Sequence, residues 1–96
     1  MTVRFTIVAS AIPERSAVVS LTRIQKLTEM INEGKTDGSC VGTLQFKIEN
    51  GVEVVESFTG VRTFRDQAAA EEYRDFYLPM VEAGGVTVFS INIEEI

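Results

Sequence analysis

The chain has 96 residues, 45% hydrophobic and 24% charged, with 14 acidic against 9 basic side chains and a net charge of −5. That length makes one domain, residues 1–96, able to close a single core without covalent staples. The acidic balance disfavours nucleic acid and anionic membrane as partners. The lack of any histidine removes His-ligated metal and haem, Ser-His and Cys-His nucleophile pairs and the usual near-neutral proton shuttle. No cofactor or metal is expected.

Val3, Phe5 and Ile7 alternate with Arg4, Thr6 and Val8, the period of a strand with two different faces. The same alternation, without a basic leader ahead of an unbroken apolar run, argues for a strand rather than a signal peptide. No apolar run approaches the ~20 residues that span a bilayer. With a single cysteine, Cys40, no internal disulfide is available, and a cytoplasmic location is expected.

Pro13 ends the strand and can open a helix at its first turn, with Glu14 near the positive end of the dipole. Ala17, Leu21, Ile24, Thr28 and Ile31 recur at spacings of three and four, widened by Val18 and Leu27. Glu14, Arg15, Arg23, Gln25, Lys26 and Glu29 fall largely outside that stripe. The pattern predicts an amphipathic helix that buries the stripe and stops near Gly34. Gly34-Lys35-Thr36 echoes the tail of a phosphate-binding loop, but the first glycine of that motif would fall at Glu29. The segment also follows a helix instead of opening one, so it reads as a helix stop and turn. Residues 35–39 read as a polar loop.

Two long alternating runs, 40–49 and 52–64, flank Asn50-Gly51, the preferred pair for a two-residue type I′ hairpin turn. An unbroken hairpin sets Glu49 opposite Val52 and assigns every later residue to a face. Asp66 is a good N-cap for a second helix, whose stripe is Ala69, Tyr73, Phe76, Tyr77 and Met80. Pro79 predicts a kink or break around Leu78 by clashing with the Asp75 carbonyl. Gly84-Gly85 closes the helix, and residues 86–93 alternate as a last strand.

Two β-α-β halves joined by a tight hairpin give an α+β, ferredoxin-like βαββαβ fold. Its four-stranded antiparallel sheet should run 4-1-3-2 with both helices on one face. The helix-facing set is then Val3, Phe5, Ile7, Leu44, Phe46, Val55, Val61, Phe89, Ile91 and Ile93. The other face should carry Arg4, Thr6 and Val8, then Val41, Thr43, Gln45 and Lys47, then Val54, Glu56, Phe58 and Arg62, and last Val86, Val88, Ser90 and Asn92. Valines and Phe58 beside charges and amides make that face a candidate for self-association.

The element order, and the run Thr63-Phe-Arg-Asp-Gln-Ala-Ala-Ala-Glu-Glu-Tyr73 entering the second helix, resemble the dimeric α/β-barrel superfamily. The resemblance implies two sheets packed face to face in a homodimer, with a pocket per subunit between sheet and helices or inside the barrel. Members include cofactor-independent monooxygenases, lactone isomerases and haem enzymes. No catalytic residue carries over by position.

Six residues on the mixed face form the candidate ligand site: Arg4, Gln45, Glu56, Phe58, Arg62 and Asn92. Arginine suits an anionic ligand because its planar fork donates two parallel hydrogen bonds. Glu56 is a candidate base if burial beside Phe58 raises its pKa. Tyr73 and Tyr77, four apart, offer hydroxyls to a ligand or pack with them at a rim. Cys40 has no histidine to activate it and reads as a small apolar residue. Strand three lacks the aromatic platform of a single-stranded RNA binder. The function these residues support is a small homodimeric binding or accessory module for an organic ligand. The alternative is a small cofactor-independent enzyme using Glu56.

Overall fold

The computed structural model describes residues 2–14 and 16–96. Arg15, assigned by sequence to the polar side of the first helix, lies outside the described residues, as does Met1. The elements run β1 Val3–Ala9, α1 Ala17–Asn32, β2 Thr36–Glu49, β3 Val52–Phe64, α2 Gln67–Ala83 and β4 Val88–Glu95. The antiparallel sheet has the order β2-β3-β1-β4, as the hairpin and the two crossovers require.

Strand β1 is central and its odd positions make the floor of the core, with Val3, Phe5, Ile7 and Ala9 buried. Helix α2 covers them. Asp66 caps it by accepting from the Ala69 amide at 2.9 Å, and Ala69, Tyr73 and Tyr77 of its predicted stripe are buried, with Phe76 and Met80 packed against the cluster. Phe5 meets Phe64 and Tyr73 edge-on at centroid distances of 5.8 and 5.6 Å, and Tyr73 stacks on Tyr77 at 5.0 Å. Pro79 does not break the helix, which continues through it to Ala83.

The turn at Asn50-Gly51 has φ of 53° and 75°, the left-handed pair that a type I′ hairpin needs. The register then departs from an unbroken ladder. Phe46 pairs with Val55 but Gln45 pairs with Ser57, so Glu56 is an extra, bulged residue. One inserted residue reverses the facing of everything beyond it. Phe58, Gly60, Arg62 and Phe64 therefore share the face of Phe5 and Ile7, and Phe58 and Arg62 belong to the helix side, not to the outer face. Val61 moves to the outer face for the same reason.

A second irregularity, where β1 passes from Val8 to Ala9, leaves Phe89 unpaired between Val88 and Ser90 of β4. Phe89 is 59% exposed instead of facing the helices, while Val86 is buried and Val88 packs on the core. Residues 36–39, read as loop, begin β2. The Thr36 hydroxyl donates to the Thr63 carbonyl at 2.7 Å and the Arg65 amide donates to the Lys35 carbonyl at 2.8 Å, tying the segment to the end of β3.

Helix α1 starts later than Pro13 predicts. Ser16 is its N-cap, accepting from the Val19 amide at 3.1 Å. Its buried residues are Val19, Leu27 and Met30. Of the predicted stripe only Leu27 is buried; Val18, Leu21, Ile24 and Ile31 are exposed, Leu21 by 61% and Ile24 by 48%. Two cations also occupy the inward side. Arg23 pairs with Glu14 and Lys26 with Glu72 of α2, and directing those rows inward turns the stripe outward.

Candidate functional site

Between the two helices and the sheet lies a cavity of about 190 Å3, room for roughly six waters at ~30 Å3 each. Its apolar wall is Phe5, Ile7 and Phe58. The Phe58 ring lies across paired glycines of two strands. A Cβ at Gly42 would stand 2.9 Å from Phe58 Cε2, and one at Gly60 would stand 3.0 Å from Phe58 Cε1. Either side chain would push the ring out of place, so the glycines set the depth of the wall. Cys40, which is exposed, also lines the cavity.

Five polar side chains converge on the same space: Glu14, Arg23, Arg62, Tyr73 and Tyr77. Glu14 comes from the turn ahead of α1, Arg23 from α1, Arg62 from β3 and the tyrosines from successive turns of α2. The Tyr77 hydroxyl donates to Glu14 Oε1. Arg23 Nε lies 3.3 Å from that oxygen, an ion-pair distance, but is misaligned for a hydrogen bond. Glu14 thus serves Tyr77 and Arg23 together.

Arg62 has no such partner. It is only 7% exposed and makes no ion pair among the described residues. Its Nη1 reaches the Gly38 carbonyl at a long 3.4 Å, and its guanidinium carbon sits 5.6 Å from the centre of the Tyr73 ring. The Tyr73 hydroxyl is buried without any hydrogen-bond partner. Burial pushes the Tyr73 hydroxyl up to about 12, with the Arg62 and Arg23 charges opposing the shift. Burial and then the bond to Glu14 push Tyr77 further up. Both phenols remain neutral donors near pH 7.

The six residues assigned from sequence to one site divide between two faces. Phe58 and Arg62 reach the cavity. Arg4 lies on the outer face and pairs with Glu94 at 3.0 Å. Gln45 is also outside, accepting from Ser57 at 2.9 Å, and Asn92 pairs with Thr6 on that face. Glu56 stands exposed at the bulge and does not line the cavity. Sequence reasoning missed Glu14 and Arg23. The available signal was Arg23 itself, four residues after Val19 and four before Leu27, a cation in the row that faces inward. Without Phe58 and Arg62 the outer face is richer in Thr6, Thr43, Ser57, Thr59 and Ser90, which weakens the reason for expecting a cover there. Among the described residues no three His, Cys, Asp or Glu side chains converge in a metal-binding group, and no helix is long and apolar enough to cross a membrane.

No protein-family model matches the chain and no curated protein matches it in sequence. Its fold is similar to that of the periplasmic divalent cation tolerance protein CutA from Archaeoglobus fulgidus. That likeness has a TM-score of 0.52 and 12% identity, over 100% of this chain and 84% of that one. The designed protein Foldit4 gives 0.49 with 14% identity, over 100% and 99% of the two chains. The structural-genomics protein YJCS gives 0.45 with 13% identity, also over 100% and 99%. At such identities the likeness to CutA defines the fold alone: the chain is a small α+β protein with the ferredoxin-like fold.

Proposed function

We propose that the chain is a small self-associating module that binds an organic ligand in the cavity between its helices and its sheet. The observation that carries this reading is the pairing of a buried, uncompensated guanidinium with a buried, unpartnered phenol in one cavity. An unpaired buried charge costs several kcal/mol, and an unmet buried hydroxyl ~1–3 kcal/mol. A fold that keeps both beside an open space gains by having that space occupied. Cysteine alkylation tests the reading, because Cys40 lines the cavity and is exposed. A ligand in place should slow alkylation of Cys40, and a Cys40→Trp variant should lose the ligand. Small-molecule screening by NMR that never moves the resonances of Phe5, Ile7 or Tyr73 would end the reading.

Self-association follows from α1. Ala17, Leu21, Ile24, Thr28 and Ile31 are spaced four, three, four and three, the seam spacing of paired helices. The seam carries no charge, and the Thr28 hydroxyl is already satisfied by the Ile24 carbonyl at 2.8 Å. A second copy brings the same seam, so two α1 helices can cover one another about a twofold axis. The outer sheet face, with Val8, Val41 and Val61, is the other surface for a homodimer. Sedimentation should give twice the 10.6 kDa chain mass; a chain that stays at that mass at high micromolar concentration would remove the self-association. Substitutions on α1 and on Val41 then tell the two faces apart.

The enzyme reading rested on Glu56 as a base, and Glu56 lies outside the cavity. Within it Glu14 is committed to Tyr77 and Arg23, which favours binding over turnover.

A further inference from the structure

The charges and shape of the cavity narrow what it holds, an inference that rests on the cavity being a ligand site. Two guanidiniums, Arg23 and Arg62, face one carboxylate, Glu14, which leaves one positive charge without a counterion among the lining residues. The uncompensated one is Arg62, because Glu14 sits with Arg23. Next to Arg62 is the Tyr73 hydroxyl, held neutral by burial and with its proton unassigned to any acceptor. The two groups offer a planar fork and a single O–H donor; the phenol oxygen can accept from the guanidinium, but the guanidinium cannot accept the phenol's proton. What satisfies both is an acceptor with two oxygens and one negative charge.

The rest of the cavity sets the body of the molecule. Phe58 stands on one side, held flat over Gly42 and Gly60, with Phe5 and Ile7 beside it. At about 190 Å3 the space admits a single ring with its acid group and little more. We propose that the cavity binds a small aromatic monocarboxylate, its carboxylate on Arg62 and Tyr73 and its ring against Phe58. A doubly charged phosphate fits less well, since one uncompensated cation cannot neutralise it and the Glu14 carboxylate on the same lining would repel it.

Benzoate and benzamide, nearly the same shape but differing in charge, are the probes. Titrated into the full chain and followed by NMR at the Arg62 and Arg23 guanidinium Nε–H signals, benzoate should bind roughly ten- to hundredfold more tightly than benzamide, the range of a charge-assisted hydrogen bond. Arg62→Met should erase that preference. Tyr73→Phe, which keeps the ring in the core, should weaken benzoate severalfold and benzamide, whose carbonyl also accepts, by less. Arg62→Lys, which keeps the charge but not the fork, should fall between wild type and Arg62→Met, and it serves where Arg62→Met does not fold. Equal affinity for the two probes with shifts at Phe5 and Ile7 would overturn the ligand class while leaving the cavity a binding site. A benzoate preference that survives both Arg62→Met and Tyr73→Phe would also overturn it. Absence of any shift at the lining residues with either probe, or with any other screened molecule, would remove the binding reading as well.

Discussion

The two helices carry equally clear apolar stripes and put them to opposite use. On α2 the stripe of Ala69, Tyr73 and Tyr77 is buried on the central strand. On α1 the stripe of Leu21, Ile24 and Ile31 faces out, and the row that faces in carries Arg23 and Lys26 beside Val19, Leu27 and Met30. A sequence period thus locates an apolar face without saying what covers it. On the inward row of α1 the cations find partners. Glu14 and Glu72 lie on the inner side of α1, where they pair with Arg23 and Lys26.

That contrast breaks most sharply at Tyr73. Tyr73→Ala should cost roughly 3–5 kcal/mol in urea unfolding, the usual cost of emptying an aromatic core site. Tyr73→Phe should cost little or stabilise, because the hydroxyl it removes has no partner. Leu21→Ala on the outward stripe should change the stability of the isolated chain by less than ~0.5 kcal/mol. If Leu21→Ala instead costs as much as a core truncation in dilute solution, α1 is rotated relative to this arrangement.

Association is the next test. Ile24→Lys should weaken the proposed dimer roughly tenfold or more in sedimentation equilibrium while leaving the far-ultraviolet spectrum intact. Val41→Lys on the outer sheet face should leave it unchanged. The reverse result would move the interface to the sheet. A smaller effect belongs to the start of α1: Ser16→Ala should cost about 1 kcal/mol by loss of the cap on Val19.

Strand order, both helices and the Asn50-Gly51 turn are legible because each has a local cause: alternation, a capping side chain, or a pair that tolerates positive φ. The facing of the site residues is not. It depends on the extra residue at Glu56, in a run, Val54-Val55-Glu56-Ser57, whose residue types suit a regular strand as well as a bulge. That one residue carries Phe58 and Arg62 to the helix side and parts them from Arg4, Gln45 and Asn92. The other half of the cavity was hidden differently. Glu14 meets Tyr77 across 63 positions, and no local pattern marks such a pair.

The smallest predicted effect concerns Glu72, which joins the layers. Its carboxylate takes Lys35 at 2.8 Å and Lys26 at 3.0 Å. Those bonds, Lys35 first, hold its pKa below the usual 4.5. A carboxyl so lowered gives the folded state an advantage that is complete above the unfolded pKa and disappears as pH falls through the folded one. Lys35, raised above 10.5 mainly by Glu72, works in the opposite direction: its share is complete below 10.5 and is lost as pH rises through the folded value. Wild type should therefore exceed Glu72→Gln in stability by a small, nearly constant margin between about pH 5 and 10. Below that range the two unfolding curves should converge, and above it they should converge again as Lys35 discharges. Glu72 is about one-third exposed, so solvent screening keeps the plateau low. A margin that grows toward acid would mean that Glu72 is held protonated, and that Lys26 of α1 and Lys35 of the turn ahead of β2 do not hold its charged form.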